Sequence, residues 1–278
     1  MTTLLEGAFD LHVHTSPDVI ARRYTDLELA AIARDAGMRG VVLKCHHEST
    51  VGRAAAAAAV AGIDVLGGIV LNDGCSGGVR PEAVDAALRL GGRIVWWPTV
   101  TSAAHRTVFG GIPTPEPPVD GAVLGEIFAL VAEHDAVFAT GHAGASTVRT
   151  LAALSHDTGA RLLVTHADFW IPALTVAEQT ELARDHPHVW FERCAYGSLP
   201  GTPRPQPVGP VVEAIAATGG PARNIVSSDL GQPELPPYVE GITSFAAMLL
   251  EAGLAADDLR ELLCERPAAL LGLGVPVV

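Results

Sequence analysis

One pattern constrains this chain more than any other. A short run rich in Val, Ile and Leu is followed by a helix-forming segment, and the pair recurs eight times. Strands are expected at 8–14, 40–46, 64–71, 93–99, 136–142, 161–166, 188–194 and 224–228. Thr25-x-x-Glu28 and Thr175-x-x-Glu178 read as capping boxes that open helices, and Pro81 takes the first turn of another. The C-terminal region reads as two helices, at about 239–252 and 257–271. No two strands are joined by a tight turn, which excludes hairpin-based sheets, and no second domain interrupts the alternation. Eight βα units in 278 residues point to an α/β fold, a single-domain (β/α)8 TIM barrel. A doubly wound open sheet is the alternative. It would gather ligands at one switch point in the strand order.

Residues 101–120 break the rhythm. This stretch holds Pro113, Pro115, Pro117, Pro118 and Gly110-Gly111. A connection of that length reads as a lid over 101–119 or as a surface insertion. A second Pro-rich loop covers 199–210.

Composition narrows the partners. A net charge of −13 argues against nucleic acid and anionic membrane. The apolar runs are too short and too interrupted to span a bilayer, and the N-terminus lacks the basic and apolar regions of a signal peptide. The four cysteines lie far apart without a C-x-x-C pair, as expected of reduced thiols in a cytoplasmic protein.

In such a barrel, chemistry gathers at the C-terminal ends of the strands. Strand 1 reads Phe9-Asp10-Leu11-His12-Val13-His14. Strict alternation puts Phe9, Leu11 and Val13 on one face, and Asp10, His12 and His14 on the other. Two histidines spaced i, i+2 can converge on one metal ion. Other strand ends offer Lys44 and His46, Thr99, His142, His166, Glu192 with Arg193, and Asp229. Several histidines plus an aspartate at equivalent ends point to a metal site.

This ordered set, His12-x-His14, His142, His166 and Asp229, resembles the amidohydrolase superfamily. The segment Glu265-Arg266-Pro267-Ala268-Ala269-Leu270-Leu271-Gly272 also looks like one common near the end of its members. The resemblance implies one or two divalent ions, Zn2+ first, with Mn2+ or Fe2+ as alternatives. It implies that His12, His14, His142 and Asp229 are metal ligands. His166 would be a second-metal ligand or a transition-state stabiliser, and Asp229 also the general base. Strand 4 departs from the pattern, because Trp97 and Thr99 cannot bridge two metals; Thr99 is assigned to the substrate. Strand 2 instead offers Lys44, with His46 on the same face, and the related polymerase-and-histidinol-phosphatase barrels place a histidine there, which makes His46 a further ligand. Lys44 beside a metal should be carbamylated, deprotonated, or turned toward the substrate or Asp10.

The activity expected is hydrolysis of an amide, ester or lactone-type bond by metal-activated water. A decarboxylase, a multinuclear phosphoesterase and a non-catalytic binding barrel are the alternatives. The partner expected is a small molecule, a carboxylate, with homo-oligomerisation left open. Arg22, Arg23, Arg53, Arg80, Arg106 and Arg193 fall on or near loops at the catalytic face. Arg80 and Arg106 are the expected anchors, whereas Arg22 and Arg53 are expected to pair with surface acids.

Overall fold

Eight parallel strands run in sequence order around a barrel: β1 Phe9–His14, β2 Gly40–Lys44, β3 Asp64–Val70, β4 Ile94–Trp96, β5 Val137–Ala139, β6 Arg161–Val164, β7 Val189–Cys194 and β8 Asn224–Ser227. A parallel bridge between Val13 and Leu230 joins the last strand to the first. This is the computed structural model of the chain, and it describes residues 4–110 and 117–274. The helices are α1 Asp26–Asp35, α2 Val51–Ala61, α3 Pro81–Arg89, α4 Ala103–Phe109, α5 Gly121–Glu133, α6 Ala145–Ser155, α7 Val176–Asp185, α8 Gly209–Ala217, α9 Tyr238–Glu251, α10 Ala256–Arg260 and α11 Arg266–Leu270. No helix of the described residues is long and apolar enough to cross a membrane.

Both expected capping boxes form. Thr25 and Thr175 each accept from the backbone N–H of the glutamate three residues on, and that glutamate accepts from the threonine N–H. The expected helix over 257–271 is broken by a π-turn, Glu261–Glu265. The Arg266 N–H there reaches back to the Glu261 carbonyl, and Pro267 has no N–H with which to continue the α pattern. The 101–119 segment is not structureless, because α4 forms within it, capped by Ser102. Its residues 111–116 lie outside the described residues.

Two packing layers follow from strand alternation. Val41, Leu43, Val13 and Val226 face outward onto α1, α2 and α9. Phe9, Leu11, Val42, Val70, Ile94, Trp96, Val137, Leu163 and Ile225 fill the interior. Leu270 and Leu271 plug the barrel's N-terminal end, and Arg93 and Arg161 donate to their carbonyls. The C-terminal segment noted in the sequence therefore closes the floor.

Strict alternation fails on β1. Its register against β2 slips between Asp10 and Val13. Such a bulge supplies one extra residue and lets two successive side chains share a face. Leu11 stays in the interior cluster, yet His12 also points inward. Asp10 points outward instead, accepting from Tyr238 Oη of α9 at 3.0 Å and from the Ser228 N–H at 3.0 Å. The expected grouping of Asp10 with His12 and His14 is thus corrected, and so is Asp10 as a partner for Lys44.

Candidate active site at the barrel mouth

Five imidazoles meet at the C-terminal end of the barrel in a closed circuit. Ring centroids are separated by 5.3 Å from His12 to His14, 4.9 Å to His46, 5.6 Å to His142, 5.1 Å to His166, and 6.1 Å back to His12. β1 delivers two of them, and the segments just past β2, β5 and β6 deliver the others. Turning the chain inward takes unusual backbone. Gly141, His166 and Asp229 have φ of 52°, 33° and 53°. A Cβ at Gly141 would collide with the Trp97 carbonyl, so only glycine fits before His142. For His166 and Asp229 the left-handed conformation is a strain of about 1–3 kcal/mol each, which the surrounding packing must offset.

Asp229 closes the circuit. Its Oδ1 lies 3.0 Å from His12 Nε2 and 3.1 Å from His14 Nε2. His12 is braced from behind: Glu192 Oε2 is 3.1 Å from its Nδ1 and also accepts from the His166 N–H at 3.2 Å. Lys44 rises from the floor with Nζ 2.9 Å from His12 Nε2 and 5.7 Å from the centre of the Trp96 ring. His166 Nδ1 is 2.7 Å from the Ile171 carbonyl. A carbonyl only accepts, so Nδ1 carries the proton and Nε2 keeps a bare lone pair. That Nε2, like His14 Nδ1, is buried without a partner among the described residues.

Burial sets the charge states. It pushes His14 down to about 3, with the Arg22 charge adding to it, and His166 down to about 4. His46 and His142 are also held well below the usual histidine range by burial. Burial opposes the charged form of His12 too, but the Asp229 and Glu192 charges prevail and raise it to about 9. Burial would raise Glu192 and Asp229. The His12 charge outweighs it, taking Glu192 to about 2 and Asp229 well below the usual carboxylate range. Lys44 is lowered by burial. Cys194 Sγ lies 3.8 Å from His12 Nδ1, but burial holds it as a thiol.

Above the histidines is a cavity of about 200 Å³, walled by Ile20, Arg22, Phe109, Phe169, Tyr196 and Glu234 among others. The structure brings together His12, His14, His46, His142, His166, Lys44 and Asp229. Thr99 is elsewhere: its Oγ1 lies 2.8 Å from His46 Nδ1 and 2.8 Å from Asn72 Nδ2, so it holds His46 rather than facing the cavity. Arg80 is exposed at the N-cap of α3, and Arg106 donates to the Thr101 carbonyl at 2.5 Å; neither lines the cavity. Arg193 faces the helical layer, bound to Asp168, Gln179 and Asn224. Arg53 pairs with Asp26 and Glu48 as expected. Arg22 does pair with Asp18, Nε to Oδ2 at 2.7 Å, but it also lines the cavity, and its Nη2 is buried without a partner.

Three residues of the site carry no site role in the sequence: Arg22 and Glu192 stand at the right end of the barrel without an assignment, and His105 is not marked at all. Glu192 carried a signal, since it shares the inward phase of β7 with Cys194. His105 sits on α4, with Nδ1 2.7 Å from His142 Nδ1. The surrounding prolines and glycines conceal that helix.

Comparison with known proteins gives the fold a context. Residues 7–192 match a sequence family described as "Family of unknown function (DUF6282)". No curated protein matches the chain in sequence. Among solved structures, an amidohydrolase from Pseudomonas aeruginosa is similar over 96% of this chain and 97% of its own, with 12% identity and a TM-score of 0.62. A D-hydantoinase is similar over 95% of this chain and 70% of its own, at 14% identity and TM-score 0.63. An organophosphorus hydrolase from Deinococcus radiodurans is similar over 97% and 94%, at 14% identity and TM-score 0.58. At such identities the likeness establishes the shared barrel.

Proposed function

Since the chain belongs to DUF6282, a family of unknown function, we propose from its site that it is a metal-dependent hydrolase acting on an amide, ester or lactone-type bond of a small anionic substrate. One observation carries this: a single carboxylate oxygen, Asp229 Oδ1, lies within 3.1 Å of two inward-facing histidine nitrogens inside a ring of five imidazoles. Each of these two separations matches the distance between neighbouring donors on one ion, and the bare lone pair on His166 Nε2 offers another donor. Nitrogen and oxygen donors of this kind suit zinc, with manganese or iron as alternatives. Two groups must adapt when an ion binds: His12 gives up the proton that its carboxylate neighbours favour, and Lys44 gives up its contact with His12 or carries a carbamate. The likeness to the hydantoinase and organophosphorus hydrolase barrels supports the same class of chemistry.

The proposed ligands are His12, His14, His142 and Asp229. A bound divalent ion supplies a Lewis acid able to lower the pKa of water to about 7. Asp229, ionised at neutral pH, takes the proton from the attacking water and passes it to the leaving group. Glu192 keeps the His12 ring in place. His166 faces the substrate or a second ion. Phe109, Phe169 and Tyr196 exclude water from the reacting bond. His46, 4.9 Å from His14, favours a second ion, as a multinuclear phosphoesterase would need.

Counting zinc by mass spectrometry and screening amides, esters, lactones and phosphoesters tests both proposals. His12→Ala/His14→Ala should lose the zinc at the mouth. Asp229→Asn should lower kcat by about 10²–10⁴-fold; asparagine tolerates the left-handed backbone, so the fold should survive. Unchanged zinc in the double variant, or unchanged turnover in Asp229→Asn, would overturn the assignment.

A further inference from the structure

Three histidines lie at the other end of the barrel. His156 caps the C-terminus of α6, His186 caps that of α7, and His188 immediately precedes β7. The strands start at this end, so the cluster is remote from the mouth.

The geometry is that of convergent ligands. Each histidine offers a ring nitrogen, and these nitrogens all lie within 4.8 Å of one another. The ring centroids are 5.2 Å apart for His156 and His188, 5.6 Å for His156 and His186, and 5.9 Å for His186 and His188. The interplanar angles are 84°, 73° and 87°, so no two rings stack. Edge-to-face rings also occur in plain packing, so the convergence rests on the nitrogens, which lie within 4.8 Å of one another.

Two nitrogens of the cluster are unaccounted for. His186 Nδ1 and His188 Nδ1 are buried and lack partners among the described residues. Buried polar atoms without partners are rare enough to need a reason. For His188 the tautomer follows from its neighbour. Ser155 Oγ donates to the Ala152 carbonyl at 3.2 Å and lies 2.9 Å from His188 Nε2. With its one proton committed, the hydroxyl must accept from Nε2–H. His188 Nδ1 therefore presents a bare lone pair, oriented from behind as metal-binding imidazoles commonly are. His156 is exposed, which leaves an entry path. Arg223 is close enough to act on His188, but its guanidinium is bound to the Ala183 carbonyl at 2.6 Å.

We propose that His156, His186 and His188 form a second metal site, which takes a divalent transition ion such as zinc through three imidazole nitrogens and leaves the fourth position to solvent. With no carboxylate or carbonyl ligand in the set, magnesium and calcium are poor candidates. The bound ion ties the connection after α6 to the connection after α7.

The test uses the full chain and zinc alone. Chelator-stripped protein is dialysed against micromolar zinc, bound zinc is counted, and the melting temperature is recorded with and without zinc. His156→Gln/His188→Gln is compared with wild type, and the same pair is added to His12→Ala/His14→Ala. The histidine-to-glutamine pair should remove one zinc per chain in both backgrounds and shrink the zinc-dependent rise in melting temperature, with turnover retained. The same zinc count with and without the pair, in either background, overturns the proposal. If the pair fails to fold, His156→Gln alone, at an exposed ring, gives the same comparison. Because the difference is also read in the background that lacks His12 and His14, its failure is distinguishable from failure of the site at the mouth.

Discussion

At its N-terminal end the barrel is stoppered by Leu270 and Leu271, which pack on Phe9, Val42 and Ile225; at its C-terminal end the same strands release His12, His14, His46, His142, His166 and Asp229 into one ring. The first end is closed by apolar packing, with Arg93 and Arg161 donating to the carbonyls of the plug. The second is buried and polar, and every group there needs a partner. Left-handed non-glycine residues occur at both ends, Asp135 just before β5 and His166 and Asp229 at the mouth, but only the mouth pair carries site side chains. Such features lower stability and are retained where they serve chemistry. Stability and function are thus divided along the barrel axis, as is usual for this fold.

Cutting the stopper should produce the largest effect and break the comparison most directly. Leu270 is fully buried, and Leu270→Ala opens a cavity in the floor. The expected loss is about 2–5 kcal/mol of stability, read as a lower denaturant midpoint. kcat of the folded fraction should stay at wild type. A large fall in kcat at full folding would show that floor and mouth are not separate.

Acid should sharpen the contrast from the other side. In the metal-stripped chain, His14 at about 3 and His166 at about 4 both lie below their unfolded value of 6.5. His46 and His142 shift the same way. The unfolded chain then takes up protons that the folded chain refuses. Stability is complete above pH 6.5 and is lost as pH falls toward 4. His166 alone should cost about 2 kcal/mol at pH 5. His12, raised to about 9, acts oppositely: its stability is present below pH 6.5 and is lost as pH rises through 9. Asp10, raised by burial, also offsets part of the acid loss. Four lowered histidines outweigh them, so the melting temperature should drop between pH 7 and pH 5, and less so in His142→Gln. A flat profile would mean that the mouth does not govern acid stability.

The sequence made one end of this division more legible than the other. The eight units are visible because strand and helix periods differ, and residues at strand ends share a face of the barrel whatever the loops do. His12, His14, His142, His166 and Asp229 could be gathered on that ground alone. Glu192 is harder, because its partner His12 stands 180 residues away across the barrel. The bulge in β1 leaves no mark in composition, so alternation alone places Asp10 on the wrong face. Loop residues follow no period at all. Arg80 in a Gly-rich loop and Arg22 beside strand 1 look alike in sequence, and only the chain path separates the exposed one from the buried one. The bottom cluster is hidden for the same reason: His156 and the His186-x-His188 pair meet only after two helices have packed.

The smallest predicted effect falls on Arg22, a polar mouth residue expected to hold the proposed substrate without taking part in the reaction. Its side chain is 2% exposed, and Asp18 holds only one edge of the guanidinium. The other edge includes Nη2, buried beside the cavity without a partner among the described residues. A buried donor left unpaired is costly, and an anionic group on the ligand is the natural partner. This contact lies away from the reacting bond, so it should stabilise ground and transition states alike. Arg22→Gln should therefore raise KM for a carboxylate substrate about tenfold, close to 1.4 kcal/mol, and leave kcat within a few-fold. The neutral amide or ester analogue should show no such change. Arg80→Gln, at an exposed position, should alter neither. Steady-state kinetics on the carboxylate and its neutral analogue decides the matter. If wild type has no preference for the anion, or if Arg22→Gln keeps it, the mouth recognises its substrate by some other group.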